Sequence, residues 1–277
     1  MSLLHSILLG IIQGVTEFLP ISSSGHLAIA EHILGMDGTS EIPEFFDVLL
    51  HLGTLVAVFV AYWSEIKEIV FEFLRGIDDL IHHVTPQRVP PARRMVLLII
   101  VGTLPLFLIL PVKDKVEALS ENMIFIGCAL LFTGVMLWLC DRVHKGRKTE
   151  KSARLTDALA VGVAQAVATC PGISRSGMTI TTGCFMGFER RFAVRYSFLM
   201  SIPAILGANI LALKDAIELG IVWREVPVYL IDVVVAAAVG YACIRLLRYI
   251  ADKGRFGVFA YYCWAVGILV LVFTLVG

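Results

Sequence analysis

Long apolar runs separated by short polar segments make up most of the chain. A helix that crosses a membrane needs about 20 mostly apolar residues. Six runs meet this requirement, at residues 45–63, 95–111, 123–140, 192–213, 228–247 and 257–276. The pattern therefore predicts an all-α polytopic membrane protein in which residues 1–277 form a single integral-membrane domain.

Two further apolar stretches, residues 3–34 and 155–187, are each interrupted by a polar turn. The interruptions lie at residues 20–26 and 171–177. Each half is then too short to cross a bilayer. Irregular backbone at membrane depth is tolerated only where it is buried in protein or lines a wet cavity. We therefore expect two re-entrant helical hairpins in addition to the six spans.

The distribution of Lys and Arg gives the orientation of these segments. Of the 23 basic residues, 18 lie in connections on one side of the predicted layout, four lie on the other side, and Arg175 lies in the second polar turn. This bias is present only if each hairpin returns to the side from which it entered, because a full crossing would move the later loops to the opposite side. Because cytoplasmic loops carry the excess of Lys and Arg, both termini are expected outside. The first hairpin then enters from outside and the second from the cytoplasm.

The two polar turns repeat each other when the chain is shifted by 152 residues. Residues 21–25 then fall on residues 173–177, and both have the pattern Ile-Ser-x-Ser-Gly. By the charge distribution the two halves have opposite orientations. Residues 1–140 and 155–277 are therefore predicted to form an inverted-topology repeat whose broken helices meet near the membrane midplane.

Composition excludes several classes of protein. The chain is 58% hydrophobic and 17% charged, whereas soluble domains carry about 25% charged residues. This excludes a disordered chain and an ordinary soluble enzyme. The hydrophobic composition indicates a membrane protein. Acidic and basic residues balance at 23 each, so no charge excess points to a nucleic-acid partner.

The polar turns have the chemistry of an anion site. A helix is expected after each turn, starting near His26 and near Met178, and a helix N-terminus offers unpaired N–H groups and the positive end of its dipole. Arg175 adds a permanently charged, forked donor. Serine hydroxyls and close backbone approach at glycine suit a phosphate group. The expected binding residues are Ser22, Ser24, Gly25, Ser174, Ser176, Gly177 and Thr179.

Glu17 and Arg175 are charges at predicted membrane depth, where charge is costly and usually functional. Gln13 and Glu17 are four residues apart and share a helix face. They could hold Mg²⁺ or Ca²⁺ if phosphate oxygens and water complete the shell. Glu17 could instead be a base, or only the partner of Arg175. His26 follows Ser23 by three residues and is a candidate for a catalytic role.

Three other polar residues lie in or near the apolar spans. They are Asp47, His51 and Asp157. Each of them could line the same site or cap a helix, and the pattern leaves both possibilities open.

At these residues the chain resembles a known family. Residues 13–26, QGVTEFLPISSSGH, and residues 171–179, PGISRSGMT, are similar to the two signature motifs of the bacterial undecaprenyl-pyrophosphate phosphatases, also called the bacitracin-resistance family. The resemblance covers the whole chain in length, span layout and motif order. Where other members carry two acids in the first motif, this chain has Gln13 and Glu17. The resemblance therefore gives no support to a metal held by two carboxylates.

The resemblance implies an activity and a location. Members of the family remove one phosphate from the C55 isoprenoid diphosphate lipid, and the undecaprenyl phosphate is reused as a cell-wall carrier, which gives bacitracin resistance. It also implies the bacterial inner membrane, six spans with two re-entrant hairpins in inverted repeats, and a homodimer. The site is expected to open towards the periplasmic or outer face.

For this reaction the expected catalytic residues are Glu17, Ser23, His26 and Arg175. Arg175 and the helix N-termini would hold the diphosphate, and a Mg²⁺ or Ca²⁺ ion near Glu17 and Gln13 would bridge its oxygens. Ser23 would attack with His26 as base. Attack by His26 itself, or by a water that His26 activates, is the alternative. The rival function is a transporter or flippase of an anionic isoprenoid phosphate lipid, because inverted repeats are a common transporter design.

Overall fold

The computed structural model describes residues 3–34, 44–84, 88–219, 223–224 and 226–276. Apart from one isolated bridge between Lys148 and Phe188, the regular structure of these residues is helical. The α-helices are α1 (Leu3–Phe18), α2 (Ser23–Ile33), α3 (Glu44–Ala61), α4 (Trp63–Ile81), α5 (Pro91–Thr103), α6 (Lys113–Glu117), α7 (Met123–Cys140), α8 (Leu155–Val167), α9 (Arg175–Phe185), α10 (Arg190–Leu219), α11 (Val226–Lys253) and α12 (Gly257–Val276). The predicted all-α class is confirmed.

Several of these segments are long and apolar enough to cross a membrane. Five qualify by themselves: Pro91–Glu121, Met123–Cys140, Arg190–Lys214, Val226–Lys253 and Gly257–Val276. Helices α3 and α4 meet at 90° and add a sixth span if the bent pair counts as one. Each of the six predicted spans coincides with one of these segments. The protein is therefore a polytopic membrane protein with five to six candidate spans.

Helix α4 was not predicted. Its residues belong to a connection that the charge pattern assigns to the cytoplasmic side. The helix buries Ile66 and exposes Phe71 and Leu74 among its charged residues, so it is amphipathic rather than uniformly apolar. Arg93 on α5 donates to Glu72 on α4 (Nε to Oε2, 3.0 Å) and joins the two helices.

The predicted span 95–111 is α-helical only in its first part. After α5 the chain continues in the 3₁₀ segments Leu104–Leu108 and Leu110–Val112. Pro105 and Pro111 lie at the starts of these segments. Proline has no N–H for an i to i−4 hydrogen bond and clashes with the preceding turn. The apolar pattern alone does not predict this change from an α-helix to 3₁₀ segments.

The polar turns are placed slightly differently from the prediction. Helices α2 and α9 begin at Ser23 and Arg175, three residues before the expected starts at His26 and Met178. The reason is that a serine immediately before each helix caps its first turn. Part of each predicted polar turn is therefore the first turn of a helix.

A network of ion pairs and hydrogen bonds links the ends of α3, α7 and α11 and the starts of α5, α8 and α10 on one side of the bundle. Its members are Arg190 with Asp141, Arg191 with Asp252, Arg195 with Glu150, Arg94 with the Ala153 carbonyl and Arg248 with the Ala61 carbonyl. We call this side of the helix bundle the charged end. It is the side that the distribution of Lys and Arg predicts to be cytoplasmic.

Helices α1 and α8 run in opposite directions relative to the charged end. The backbone of Asp232 faces Gly10, and that of Ala236 faces Gly14, so α1 runs parallel to α11. Because α11 finishes at the charged end, α1 also points towards it. Helix α8 starts there beside α5 and points away from it. This is the relation that an inverted repeat requires.

The second halves of the two broken stretches are short. Helices α2 and α9 have 11 residues each, which at 1.5 Å per residue is about 16 Å. The hydrocarbon core of a bilayer is about 30 Å thick. Neither helix is long enough to cross it.

The two polar turns meet each other inside the bundle. The Gly172 N–H donates to Ser24 Oγ (3.3 Å), and Ser176 Oγ donates to the Leu19 carbonyl (3.3 Å). A Cβ added to Gly25 would lie 3.0 Å from the Gly172 Cα. Glycine at these two positions therefore allows the turns to make direct contact.

Gly172 provides a test of how closely the second turn packs against α7. It has φ +84°, and a Cβ there would lie 2.8 Å from the Ala129 Cβ on α7. We expect Gly172→Ala to lower the free energy of unfolding by about 1–3 kcal/mol, measured as detergent-solubilised protein is unfolded. The matched control is Gly207→Ala, because a Cβ at Gly207 meets no atom within 4 Å. Equal stability of the two variants would contradict the close packing of the second turn against α7.

Candidate functional site

The starts of α2 and α9 are built in the same way. Ser22 Oγ accepts the Gly25 N–H at 3.2 Å, and Ser174 Oγ accepts the Gly177 N–H at 3.1 Å. Serine is a preferred N-cap residue because its oxygen satisfies one of the unpaired donors of the first turn. Ser22 and Ser174 are both buried. Their positions are equivalent under the predicted repeat.

Glu17 lies at the end of α1 and is the centre of a buried polar cluster. Its Oε1 forms an ion pair with Arg175 Nη2 at the start of α9. Its Oε2 accepts from Ser23 Oγ at 2.6 Å and from Gln13 Nε2 at 3.2 Å. Glu17 is only 7% exposed. The structure therefore brings together four of the predicted residues, which come from both broken stretches.

His26 lies next to this cluster but contacts different groups. Its Nδ1 is 2.7 Å from the Ser22 carbonyl oxygen, and its Nε2 is 2.9 Å from the Tyr262 hydroxyl on α12. The sequence favoured His26 as the base for Ser23. In the structure the Ser23 hydroxyl donates to Glu17 instead, because the end of α1 lies against the first residue of α2.

The predicted binding residues divide into accessible and buried ones. Ser24 is exposed, Ser23, His26 and Arg175 are partly exposed, and the other members are buried. The buried members are Ser22, Gly25, Ser174, Ser176, Gly177 and Thr179. A phosphate group can reach the first set directly, whereas the second set shapes the turns.

Thr179 was predicted to add a hydroxyl to the phosphate site. Its Oγ1 donates to the Arg175 carbonyl at 2.8 Å and lies 2.6 Å from Ser197 Oγ on α10. The hydroxyl thus joins α9 to α10 behind the turn. A direct contact between Thr179 and a ligand stays a prediction.

Of the three other polar residues, His51 lies on α3, and a direct role for it stays a prediction. Asp157 instead caps the start of α8, where its Oδ2 accepts from the Arg154 N–H at 2.9 Å and from Lys148 Nζ at 2.8 Å. The side chain of Asp47 lies outside the described residues.

Two residues that support the site were not identified from the sequence. Thr133 on α7 accepts the Ser174 N–H at 3.1 Å and holds the second turn, and Tyr262 contacts His26. Each lies within a long apolar run and belongs to neither motif. Only the packing of α7 and α12 brings them to the turns.

Gln13 and Glu17 are the residues predicted to hold a divalent cation. Gln13 Oε1 is buried and has no hydrogen-bond partner, so an oxygen ligand is free beside the carboxylate. Within the described residues, no group of three or more His, Cys, Asp or Glu side chains could hold a metal. Two protein ligands suit Mg²⁺, which is often bound by one or two carboxylates together with substrate phosphates. The residues present therefore fit a cation that arrives with a phosphorylated ligand.

Arg175 makes this place attractive for an anion. It is the first residue of α9, where the helix dipole is positive. Its side chain is 22% exposed, and the start of α2 lies beside it. The Ser23 hydroxyl is hydrogen-bonded to the Glu17 carboxylate, and the Arg175 guanidinium lies next to both. This arrangement is suited to phosphoryl transfer.

Comparison with known proteins agrees with this chemistry. A family model described as bacitracin resistance protein BacA matches residues 6–269. A protein of Alkaliphilus metalliredigens named undecaprenyl-diphosphatase is 41% identical over 280 residues, covering 99% of this chain and 100% of its own. Proteins with the same name from Methanosphaera stadtmanae and Halothermothrix orenii are 39% and 40% identical. The match to the Methanosphaera protein covers 100% of this chain and 99% of the relative, and the match to the Halothermothrix protein covers 98% of each chain.

The ion pair at the centre of the site gives a stability prediction. Glu17→Gln leaves the Arg175 guanidinium without its carboxylate, and breaking a buried pair on one side costs on the order of 3 kcal/mol. Glu17→Gln and Arg175→Gln should each unfold more easily than the wild type, without substrate present. The double variant should regain part of the lost stability, because it leaves no unpaired charge. A double variant less stable than both single variants would contradict this account.

Proposed function

Because the chain belongs to the bacitracin resistance protein BacA family, we propose that it is an undecaprenyl-diphosphatase, the name that its full-length relatives carry. It hydrolyses the C55 isoprenoid diphosphate to undecaprenyl phosphate and phosphate. This recycles the lipid carrier of cell-wall synthesis and gives bacitracin resistance. The observation that carries the mechanism is the hydrogen bond from Ser23 to Glu17 beside Arg175.

Arg175 and the start of α2 hold the diphosphate. The guanidinium offers forked donors to phosphate oxygens. The start of α2 offers its first N–H groups and the positive end of the helix dipole to the same phosphate. Ser24 is exposed there and adds a hydroxyl. The isoprenoid tail needs only apolar surroundings, which the lipid-facing sides of the helices provide.

Ser23 is the nucleophile and Glu17 accepts its proton. Ser23 Oγ attacks the terminal phosphorus, and the bond from that phosphorus to the bridging oxygen breaks. Undecaprenyl phosphate leaves, and the Ser23 proton passes to Glu17 Oε2, which already accepts its hydrogen bond at 2.6 Å. Water then hydrolyses the phosphoserine, and Ser23 regains a proton as phosphate leaves.

His26 serves the second step. It lies three residues after Ser23 on α2, so the two side chains are on the same face of the helix. Its Nε2 lies 2.9 Å from the Tyr262 hydroxyl. We assign it the activation of the water that attacks phosphoserine.

A divalent cation, Mg²⁺ or Ca²⁺, fits beside Glu17 and Gln13. When bound there with the diphosphate, it supplies positive charge to the phosphate oxygens. Gln13 contributes its free Oε1, and Glu17 contributes a carboxylate that Arg175 orients.

We also propose the full membrane layout. Six spans cross the inner membrane, two re-entrant hairpins enter it without crossing, both termini lie outside, and α4 lies along the cytoplasmic surface. The opposite directions of α1 and α8 and the short lengths of α2 and α9 support this layout. We propose that the site opens towards the outer face, away from the charged end. A homodimer stays a prediction.

The rival function is transport or flipping of an anionic isoprenoid phosphate lipid. The opposite directions of α1 and α8 resemble transporter repeats. A carrier, however, needs no hydroxyl hydrogen-bonded to a carboxylate next to the bound phosphate. The Ser23 to Glu17 contact therefore favours hydrolysis.

The nucleophile can be identified by trapping. Wild-type protein mixed with undecaprenyl diphosphate labelled on its terminal phosphorus, then quenched in acid, should carry the label on Ser23. Ser23→Ala should trap no label and release no phosphate. The matched control is Ser22→Ala, which removes a cap worth about 1 kcal/mol and should retain both. Label on His26, or equal loss of activity in the two serine variants, would contradict the assignment.

The cation can be tested through Gln13. After treatment with EDTA, phosphate release should return on titration with Mg²⁺. Gln13→Ala should raise the Mg²⁺ concentration for half-maximal release by at least about tenfold, as loss of a supporting group at a metal site does. The matched control is Gln165→Ala, since Gln165 occupies the equivalent buried position in the second half. Equal shifts in both variants, or full activity in EDTA, would contradict this site.

A further inference from the structure

The contact between His26 and Tyr262 joins the first polar turn to α12. The Tyr262 hydroxyl is 2.9 Å from His26 Nε2. The two rings are nearly parallel, with 10° between their planes and 5.6 Å between their centroids. Tyr262 lies far from both motifs in the sequence, in the last helix.

The protonation of His26 follows from its other contact. The Ser22 carbonyl oxygen, 2.7 Å from Nδ1, can only accept a hydrogen bond, so Nδ1 carries the proton. In the neutral imidazole, Nε2 is then the acceptor, and the Tyr262 hydroxyl donates to it. Ser22 has φ +75°, a rare conformation for a residue other than glycine. Such strain is found at functional sites. Here the Ser22 carbonyl oxygen accepts hydrogen bonds from both the backbone N–H and the Nδ1–H of His26.

The hydroxyl of Tyr262 is not explained by packing alone. The side chain is 44% exposed, so water could satisfy the hydroxyl without His26. The neighbouring Tyr261 is 64% exposed and places its ring against Trp264, at 5.7 Å between centroids. Two adjacent tyrosines in similar surroundings thus have different contacts, and only Tyr262 contacts a motif residue.

Helix α12 is well placed to hold His26. It packs against α7, where Trp264 Nε1 donates to the Leu131 carbonyl at 3.2 Å. Helix α7 in turn holds the second turn through Thr133 and Ser174. The packed pair α7 and α12 therefore contacts both turns. Thr133 on α7 hydrogen-bonds the second turn, and Tyr262 on α12 hydrogen-bonds the first.

We propose that Tyr262 is a positioning residue for His26. Its hydroxyl keeps the imidazole oriented with Nδ1 protonated and with the Nε2 lone pair free of a proton. Tyr262 acts through His26: its hydroxyl donates to Nε2 in the resting enzyme, and the water that attacks phosphoserine takes its place at that lone pair. Its effect on turnover rests on the proposed diphosphatase activity, whereas the hydrogen bond itself can be tested independently.

The test measures the hydrogen bond directly and then its effect on catalysis. In protein with ¹⁵N-labelled imidazole rings, the His26 signals are assigned by their loss in His26→Asn. The wild type should show a protonated Nδ1 and an unprotonated, hydrogen-bonded Nε2. Tyr262→Phe should move the Nε2 resonance towards that of a free acceptor, and Tyr261→Phe should leave it unchanged.

The kinetic part uses the same variants. Tyr262→Phe keeps the ring, and the loss of one hydrogen bond should lower kcat roughly tenfold with KM changed less than about twofold. Tyr261→Phe should match the wild type in both constants.

Three results would overturn the proposal. They are a proton on Nε2 in the wild type, an Nε2 resonance that does not respond to Tyr262→Phe, and an unchanged kcat in that variant. If the wild type released no phosphate, the proposed activity would fail, while the resonances would still decide whether Tyr262 holds His26.

Discussion

The ion pair between Glu17 and Arg175 is the interaction on which the rest of the site depends. A charge in a mostly apolar bundle is costly unless it is paired and hydrogen-bonded. Arg175 carries a second cost, because a cation at the first residue of a helix opposes the helix dipole. Glu17 offsets both, and its other oxygen accepts hydrogen bonds from Ser23 and Gln13. Joining the end of α1 to the start of α9 therefore holds a guanidinium and a helix N-terminus beside a serine hydroxyl, an arrangement that suits a diphosphate.

The two polar turns share a backbone design but differ in the side chains that they present. Both helices start with a serine cap, and the turns touch through Gly25 and Gly172. At the first helical position, α2 has Ser23 and α9 has Arg175, which are equivalent residues under the predicted repeat. One half thus supplies a serine hydroxyl, the proposed nucleophile, and the other supplies a cation. Under the proposed mechanism, this difference between equivalent positions gives two similar turns the separate groups that a reaction needs.

The sequence was most informative where chemistry is local. Apolar runs predicted the five to six candidate spans, because the length of such a run is itself the physical requirement. The two motifs identified Gln13, Glu17, Ser23 and Arg175, which the structure brings together. Amphipathic α4 was missed because its charges lower the apolar content of its segment. The pairing of Ser23 with Glu17 instead of His26, and the contact of Tyr262 with His26, depend on how separate helices pack. No spacing along the chain reports that packing.

The central claim is that Arg175 holds the diphosphate beside Ser23 and Glu17. The most direct measurement is phosphate release from farnesyl diphosphate by purified Arg175→Ala, compared with Arg191→Ala. Arg191 pairs with Asp252 at the charged end and has a side chain that is 69% exposed, so it controls for the loss of an arginine. The account predicts a fall of roughly 10³-fold for Arg175→Ala, comparable to the loss of a transition-state arginine in phosphoryl transfer, and wild-type release for Arg191→Ala. Release by Arg175→Ala at the rate of Arg191→Ala would contradict the account.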